Sequence, residues 1–158
     1  MDTLISLDEI KKLKNEANNT FKAGNYAQAE TEYYGVLEKI KENENRKEIL
    51  NEKTIIYSNI VIALRKQNKL EEAKKIDLLI IKNLDKAFCK SYGRLISQYL
   101  NANNFTLARY YYSLMKKYCD EKDLVPFQGI ISQIEEEIEK RDAFTNQFSA
   151  LKSAFTKK

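Results

Sequence analysis

Asn68-Lys69-Leu70-Glu71-Glu72-Ala73 is the stretch from which the architecture can be read. It is a turn, then a helix start that soon reaches an alanine. The same pattern occurs at Gly24-Asn25-Tyr26-Ala27-Gln28-Ala29 and again at Asn104-Phe105-Thr106-Leu107-Ala108. The alanines stand 44 residues apart (73 − 29) and then 35 apart (108 − 73). Recurrence at such spacing marks an internal repeat. A small residue recurs because two paired helices must approach closely there, and a bulky side chain would push them apart. The longer spacing equals one period plus an insertion of about ten residues. The polar run Lys41-Glu42-Asn43-Glu44-Asn45-Arg46-Lys47-Glu48 is its natural place, either as a loop or as an extension of the preceding helix.

Working outward, apolar residues recur at helical spacing on both sides of each turn. Ser6 followed by Glu9 fits a capping box, and Leu7, Ile10, Leu13, Ala17 and Phe21 continue one face. A second helix starts near Tyr26 and carries Ala29, Tyr33, Val36, Leu37 and Ile40. Further helices are expected at about 49–66, 70–84, 85–100 (capped by Asp85) and 105–118. Asp120-Glu121-Lys122-Asp123 reads as a polar link, and Pro126 suits the first turn of a seventh helix through Ile130, Ile131, Ile134 and Ile138. No stretch alternates with period two, so no sheet is expected. The fold class is all-α: a solenoid of three helix pairs with a C-terminal capping helix.

Composition agrees with this reading and excludes several functions. The 158 residues suit a single domain or one compact repeat array. One Pro and four Gly leave few breaks, while 32% charged residues suit long solvated helices. The formal charge of +4 is too small to argue for nucleic acid. There is no histidine, which removes Ser-His, Cys-His and His-metal chemistry. No phosphate-cradling glycine motif is present. No enzyme activity, cofactor or metal is therefore expected. Cys89 and Cys119 form no CxxC pattern and are expected to be reduced thiols. No apolar run approaches the ~20 residues of a membrane span. Met1-Asp2-Thr3-Leu4-Ile5-Ser6 does not read as a signal peptide. The expected compartment is the cytoplasm, with the nucleus as the other default.

Five residues suggest a binding function: Lys14, Asn18, Asn59, Lys90 and Arg94. All carry positive or amide side chains, and each lies on the first helix of an expected pair. Lys14 and Asn18 are four apart, as are Lys90 and Arg94, so each pair shares a helix face. Three parallel helices aiming such groups into one groove would hold an anionic peptide end.

The repeat resembles the tetratricopeptide repeat, whose period is ~34 residues. The matching positions are Ala17, Gly24, Tyr26, Ala29 and Tyr33, then Ala63, Leu70 and Ala73, then Tyr99, Phe105, Ala108 and Tyr112. The resemblance covers residues 7–142, with repeats at about 7–43, 49–84 and 85–119 and a capping helix at about 125–142. Within it, Lys14-Asn15-Glu16-Ala17-Asn18, Tyr57-Ser58-Asn59 and Lys90-Ser91-Tyr92-Gly93-Arg94 resemble the two-carboxylate-clamp signature of chaperone partners. That resemblance implies a co-chaperone or adaptor binding the Glu-Glu-Val-Asp C-terminal tail of the 70- and 90-kDa heat-shock chaperones. Lys14, Asn18 and Asn59 would grip the main-chain carboxylate, and Lys90 and Arg94 the Asp side chain or nearby tail groups. Arginine offers planar two-point contact with a carboxylate, and lysine a point charge. More narrowly, the insertion, the Asn-Phe-x-x-Ala-Arg start of repeat three, and Lys140-Arg141-Asp142-Ala143-Phe144 with Phe148 resemble the repeat region of large immunophilins. No residues remain for an isomerase domain, so that activity is not implied.

Residues 143–158 carry Phe144, Phe148, Leu151 and Phe155 at spacings of four, three and four, an amphipathic helical extension. It either continues the seventh helix or docks a second protein or membrane surface. The competing functional reading is a scaffold that binds a different protein through its concave face or this helix.

Overall fold

The structure is a computed structural model that describes residues 4–156. Met1–Thr3 and the closing Lys157-Lys158 lie outside the described residues, so the N-terminal reading above and the basic end of the tail fall partly beyond them. Among the described residues there is no strand, and no helix is long and apolar enough to cross a membrane. Among the described residues, eight α-helices follow in order: α1 (Leu7–Lys22), α2 (Tyr26–Glu38), α3 (Lys47–Lys66), α4 (Leu70–Leu79), α5 (Cys89–Asn101), α6 (Phe105–Tyr118), α7 (Glu121–Leu124) and α8 (Gln128–Thr156). The chain forms two compact units, one up to Ser91 and one from Tyr92, and the division falls inside α5.

In the first unit, α1 packs on α2, α2 on α3 and α3 on α4, and α1 also meets α3. Ser6 Oγ accepts the Glu9 N–H at 3.1 Å and satisfies one of the orphan donors at the start of α1. The shared core holds Ile10, Ala17, Ala29, Tyr33, Ile56, Ile60 and Val61, all buried. Between α2 and α3 the polar insertion is a loop through Arg46, and its last two residues, Lys47 and Glu48, open α3. It is tied by Arg46, which donates to both oxygens of Glu44 at 2.7–2.9 Å and to the Ile5 carbonyl at 3.1 Å. Hydrogen bonding from Arg46 lowers the Glu44 carboxyl to about 2.

The repeat appears directly in the backbone. Gly24, Asn68 and Asn103 all adopt positive φ, at 86°, 60° and 57°. Each follows the end of a helix and is closed by the same two hydrogen bonds. Asn25 N reaches Thr20 O at 3.2 Å, Lys69 N reaches Leu64 O at 2.9 Å, and Asn104 N reaches Tyr99 O at 2.8 Å. Gly24, Asn68 and Asn103 themselves donate to Phe21, Arg65 and Leu100 at 2.9–3.0 Å. This is the Schellman helix end, which needs a residue that tolerates left-handed backbone. Glycine has no Cβ to clash, and asparagine visits this region more readily than other residues. Five residues after each such position comes the small residue: Ala29, Ala73 and Ala108 are all buried. The repeated unit is therefore a helix, a left-handed stop, and a second helix seated at an alanine.

Several local expectations are corrected. α4 runs on into a π-helical turn, Ile80–Leu84, closed by Asp85 N donating to Ile80 O at 2.8 Å. Asp85 does not cap α5: its Oδ1 accepts from Ala87 N at 2.9 Å, in a turn ahead of the helix, which begins at Cys89. A short aspartate side chain bonds its own backbone two residues on as readily as it caps a helix. Of the expected link, residues 121–123 belong to α7, with Asp120 extended just ahead of it, and a 3-10 turn, Val125–Phe127, that contains Pro126 follows. Cys89 and Cys119 are disulfide-bonded rather than reduced thiols. Spacing along a chain does not reveal whether distant cysteines pair.

In the second unit Tyr99 of α5 stacks on Tyr111 of α6, with ring centroids 5.5 Å apart and 3° between planes. Tyr112 is buried and its hydroxyl donates to Glu135 of α8. Tyr111 is thus a core residue as well as Tyr112, and only Tyr110 stands exposed. Two motifs distant in sequence meet here. Arg141 of α8 lies 4.1 Å over the Phe105 ring, and Arg109 pairs with Asp142 at 3.3 Å. Gly93 sits mid-helix in α5 because a Cβ would lie 2.8 Å from the Phe127 ring. Gly93→Ala improves helix propensity by ~1 kcal/mol, but overpacking costs ~1–3 kcal/mol. A net loss of about 1 kcal/mol is expected in urea denaturation, and a gain would mean that the Phe127 ring swings clear without cost.

Candidate functional site

The geometry of the first unit brings Lys14, Asn18 and Asn59 together across α1 and α3. Asn59 Nδ2 donates to Asn18 Oδ1 at 3.1 Å. The Tyr33 hydroxyl, from α2, donates to the same oxygen. Burial raises the Tyr33 phenol above its ordinary value, so it remains a protonated donor at neutral pH. With Oδ1 serving two donors, Asn18 is fixed in one orientation and its Nδ2 hydrogens are held away from them.

One turn earlier on α1, Lys14 Nζ pairs with Glu52 Oε2 of α3 at 2.6 Å. The contacts 14–52 and 18–59 advance together along the chain, so α1 and α3 run parallel. Four residues of helix span about 6 Å and seven span about 10.5 Å. The long Lys14 and Glu52 side chains take up the difference.

Asn18 and Asn59 line a depression with Phe21, Lys22, Tyr33 and Ile62. It offers amide donors beside an apolar wall, with a cation at its edge. The arrangement suits a small anionic group attached to an apolar chain. Nothing in it resembles an acid–base pair or a nucleophile with its base.

No family model and no curated protein matches this chain. The site must therefore be judged on its own chemistry. Lys90 and Arg94 lie one turn apart on α5, Lys90 exposed and Arg94 half-buried. Two residues of the site escaped the sequence reading in their functional sense. Tyr33 was legible only as a core position, yet its hydroxyl orients Asn18. Glu52 belongs to no motif that the sequence displays. Its signal was present: it precedes Asn59 by seven residues and so shares that face of α3.

Proposed function

We propose that this protein is a tetratricopeptide-type adaptor that binds the acidic C-terminal tail of heat-shock chaperones through a two-carboxylate clamp. The observation that carries the reading is the Asn18–Asn59–Tyr33 network, which orients Asn18 beside an apolar depression one turn from Lys14. A carboxylate needs directed donors, and an amide held by two partners loses little freedom when it supplies one. The thrice-repeated left-handed stop, with 35 residues from Asn68 to Asn103 (103 − 68), supports the repeat type. As the resemblance implies, Lys14, Asn18 and Asn59 would take the main-chain carboxylate, and Lys90 and Arg94 the terminal Asp side chain or nearby tail groups. The adaptor acts as a co-chaperone without catalytic chemistry of its own. The compartment that goes with this reading is the cytoplasm, with the nucleus as the alternative.

The test is titration with a fluorescent peptide ending in Met-Glu-Glu-Val-Asp, beside the same peptide amidated at its C-terminus. Saturable micromolar binding, about −8 kcal/mol, is expected for the free acid and none for the amide. Equal binding of both would refute a carboxylate clamp.

A second reading rests on a different observation. Phe144, Phe148, Leu151 and Phe155 of α8 are 59–82% exposed, so the extension continues the long helix and presents its stripe outward. In that reading the chain is a scaffold whose C-terminal helix engages another protein. Binding of the free-acid tail lost on substitution at Asn18, with α8 intact, favours the first reading.

A further inference from the structure

Lys14, the cation assigned to the main-chain carboxylate, already holds a carboxylate. Glu52 Oε2 lies 2.6 Å from its Nζ, and the two side chains are only 14% and 11% exposed. We propose that Glu52 is a built-in competitor that occupies Lys14 in the ligand-free protein and sets the affinity for carboxylate-ended ligands. The inference rests on the clamp reading above.

Stability alone does not account for this pair. Removing two charges from water is costly, and apolar residues of similar volume often replace a buried ion pair without loss. The pair sits at the edge of the amide network, one turn from Asn18, where a ligand carboxylate would arrive. While it is closed, Lys14 and Glu52 together carry no net charge. The first-unit part of the site then keeps its amide donors, while Lys14 adds no net charge to it. An incoming carboxylate must share Lys14 and accept Glu52 as a like-charged neighbour, or displace Glu52 from it. Either course weakens binding and quickens release. A neutral, amidated chain end meets no such opposition, because it makes no claim on Lys14.

The experiment compares wild type, Glu52→Gln and the double variant Lys14→Met/Glu52→Gln, each with the free-acid and amidated peptides at several salt concentrations. Glutamine keeps the shape of Glu52 and can still accept from Lys14, and thermal melts followed by circular dichroism confirm that each variant is folded. Glu52→Gln is expected to bind the free acid about tenfold more tightly, the worth of one charged hydrogen bond regained. Its affinity should also fall more steeply with salt, because the site gains net positive charge. The amidated peptide should be unaffected, and the double variant should lose the gain. In the wild-type protein, the Glu52 carboxyl carbon should shift on saturation with the free-acid peptide in carbon-detected NMR. That readout needs no variant to fold.

Wild-type binding with unchanged or weaker binding by Glu52→Gln would overturn the competitor and leave the clamp standing. A double variant as tight as Glu52→Gln would also overturn it, since Lys14 would not be the group released. Absence of free-acid binding in all three folded proteins would remove the clamp, and this inference with it.

Discussion

Lys14→Met is expected to destabilise the first unit by about 3 kcal/mol, because it leaves Glu52 buried without its cation. The carboxylate accepts from Lys14 Nζ at 2.6 Å and is mostly shielded from water. Losing the partner exposes the full cost of burying the charge, whereas the intact pair contributes little net stability. The double variant Lys14→Met/Glu52→Gln should recover most of the loss, since a neutral amide is far cheaper to bury than a carboxylate. Urea denaturation of the three proteins checks this. A loss under about 0.5 kcal/mol for Lys14→Met, the range of ordinary surface changes, would mean that Glu52 turns to solvent freely.

Asn18→Asp should leave the fold intact and remove binding of a free-acid tail by more than about 100-fold. The substitution is nearly isosteric, and an aspartate oxygen can accept from both Tyr33 and Asn59 as Asn18 Oδ1 does. What changes is the other end of the side chain. The two Nδ2 hydrogens are replaced by a charged oxygen that repels the incoming carboxylate. Two such charges 4 Å apart oppose each other by about 4 kcal/mol in a partly solvated site, beyond the loss of the donor itself. A melting temperature near wild type, together with peptide binding within threefold of wild type, would place the ligand elsewhere. Asn18→Ala is a poorer probe, because it also strands the Tyr33 hydroxyl and the Asn59 amide.

The helices were legible in the sequence because their cause is local. Apolar residues at Ile10, Ala17, Ile56, Ile60 and Val61 recur at helical spacing, and the structure buries all of them. The turns were legible too, since Gly24 and Asn68 are residue types that accept left-handed backbone. Errors arose where one local signal serves two structures. Asp85 could cap a helix or close an Asx turn, and only the packing of Ile80 and Ile81 into the core fixes where the chain leaves α4. In Tyr110-Tyr111-Tyr112 the repeat pattern marks one core position, Tyr112. The second, Tyr111, depended on Tyr99 arriving from α5 to stack on it.

The sequence by itself determined that the described chain is helical, which stretches form α1 to α6, and that its period brings Gly24, Asn68 and Asn103 to one kind of turn. These follow from side-chain periodicity and backbone preference, which act over a few residues. Only the tertiary structure decided how the candidate groups are used. It set Asn59 and Tyr33 on a single oxygen of Asn18, and it placed Glu52 on Lys14. Those contacts join residues 15 to 41 positions apart. Charge and hydrogen bonding act through space at a few ångströms, a distance that sequence separation does not record.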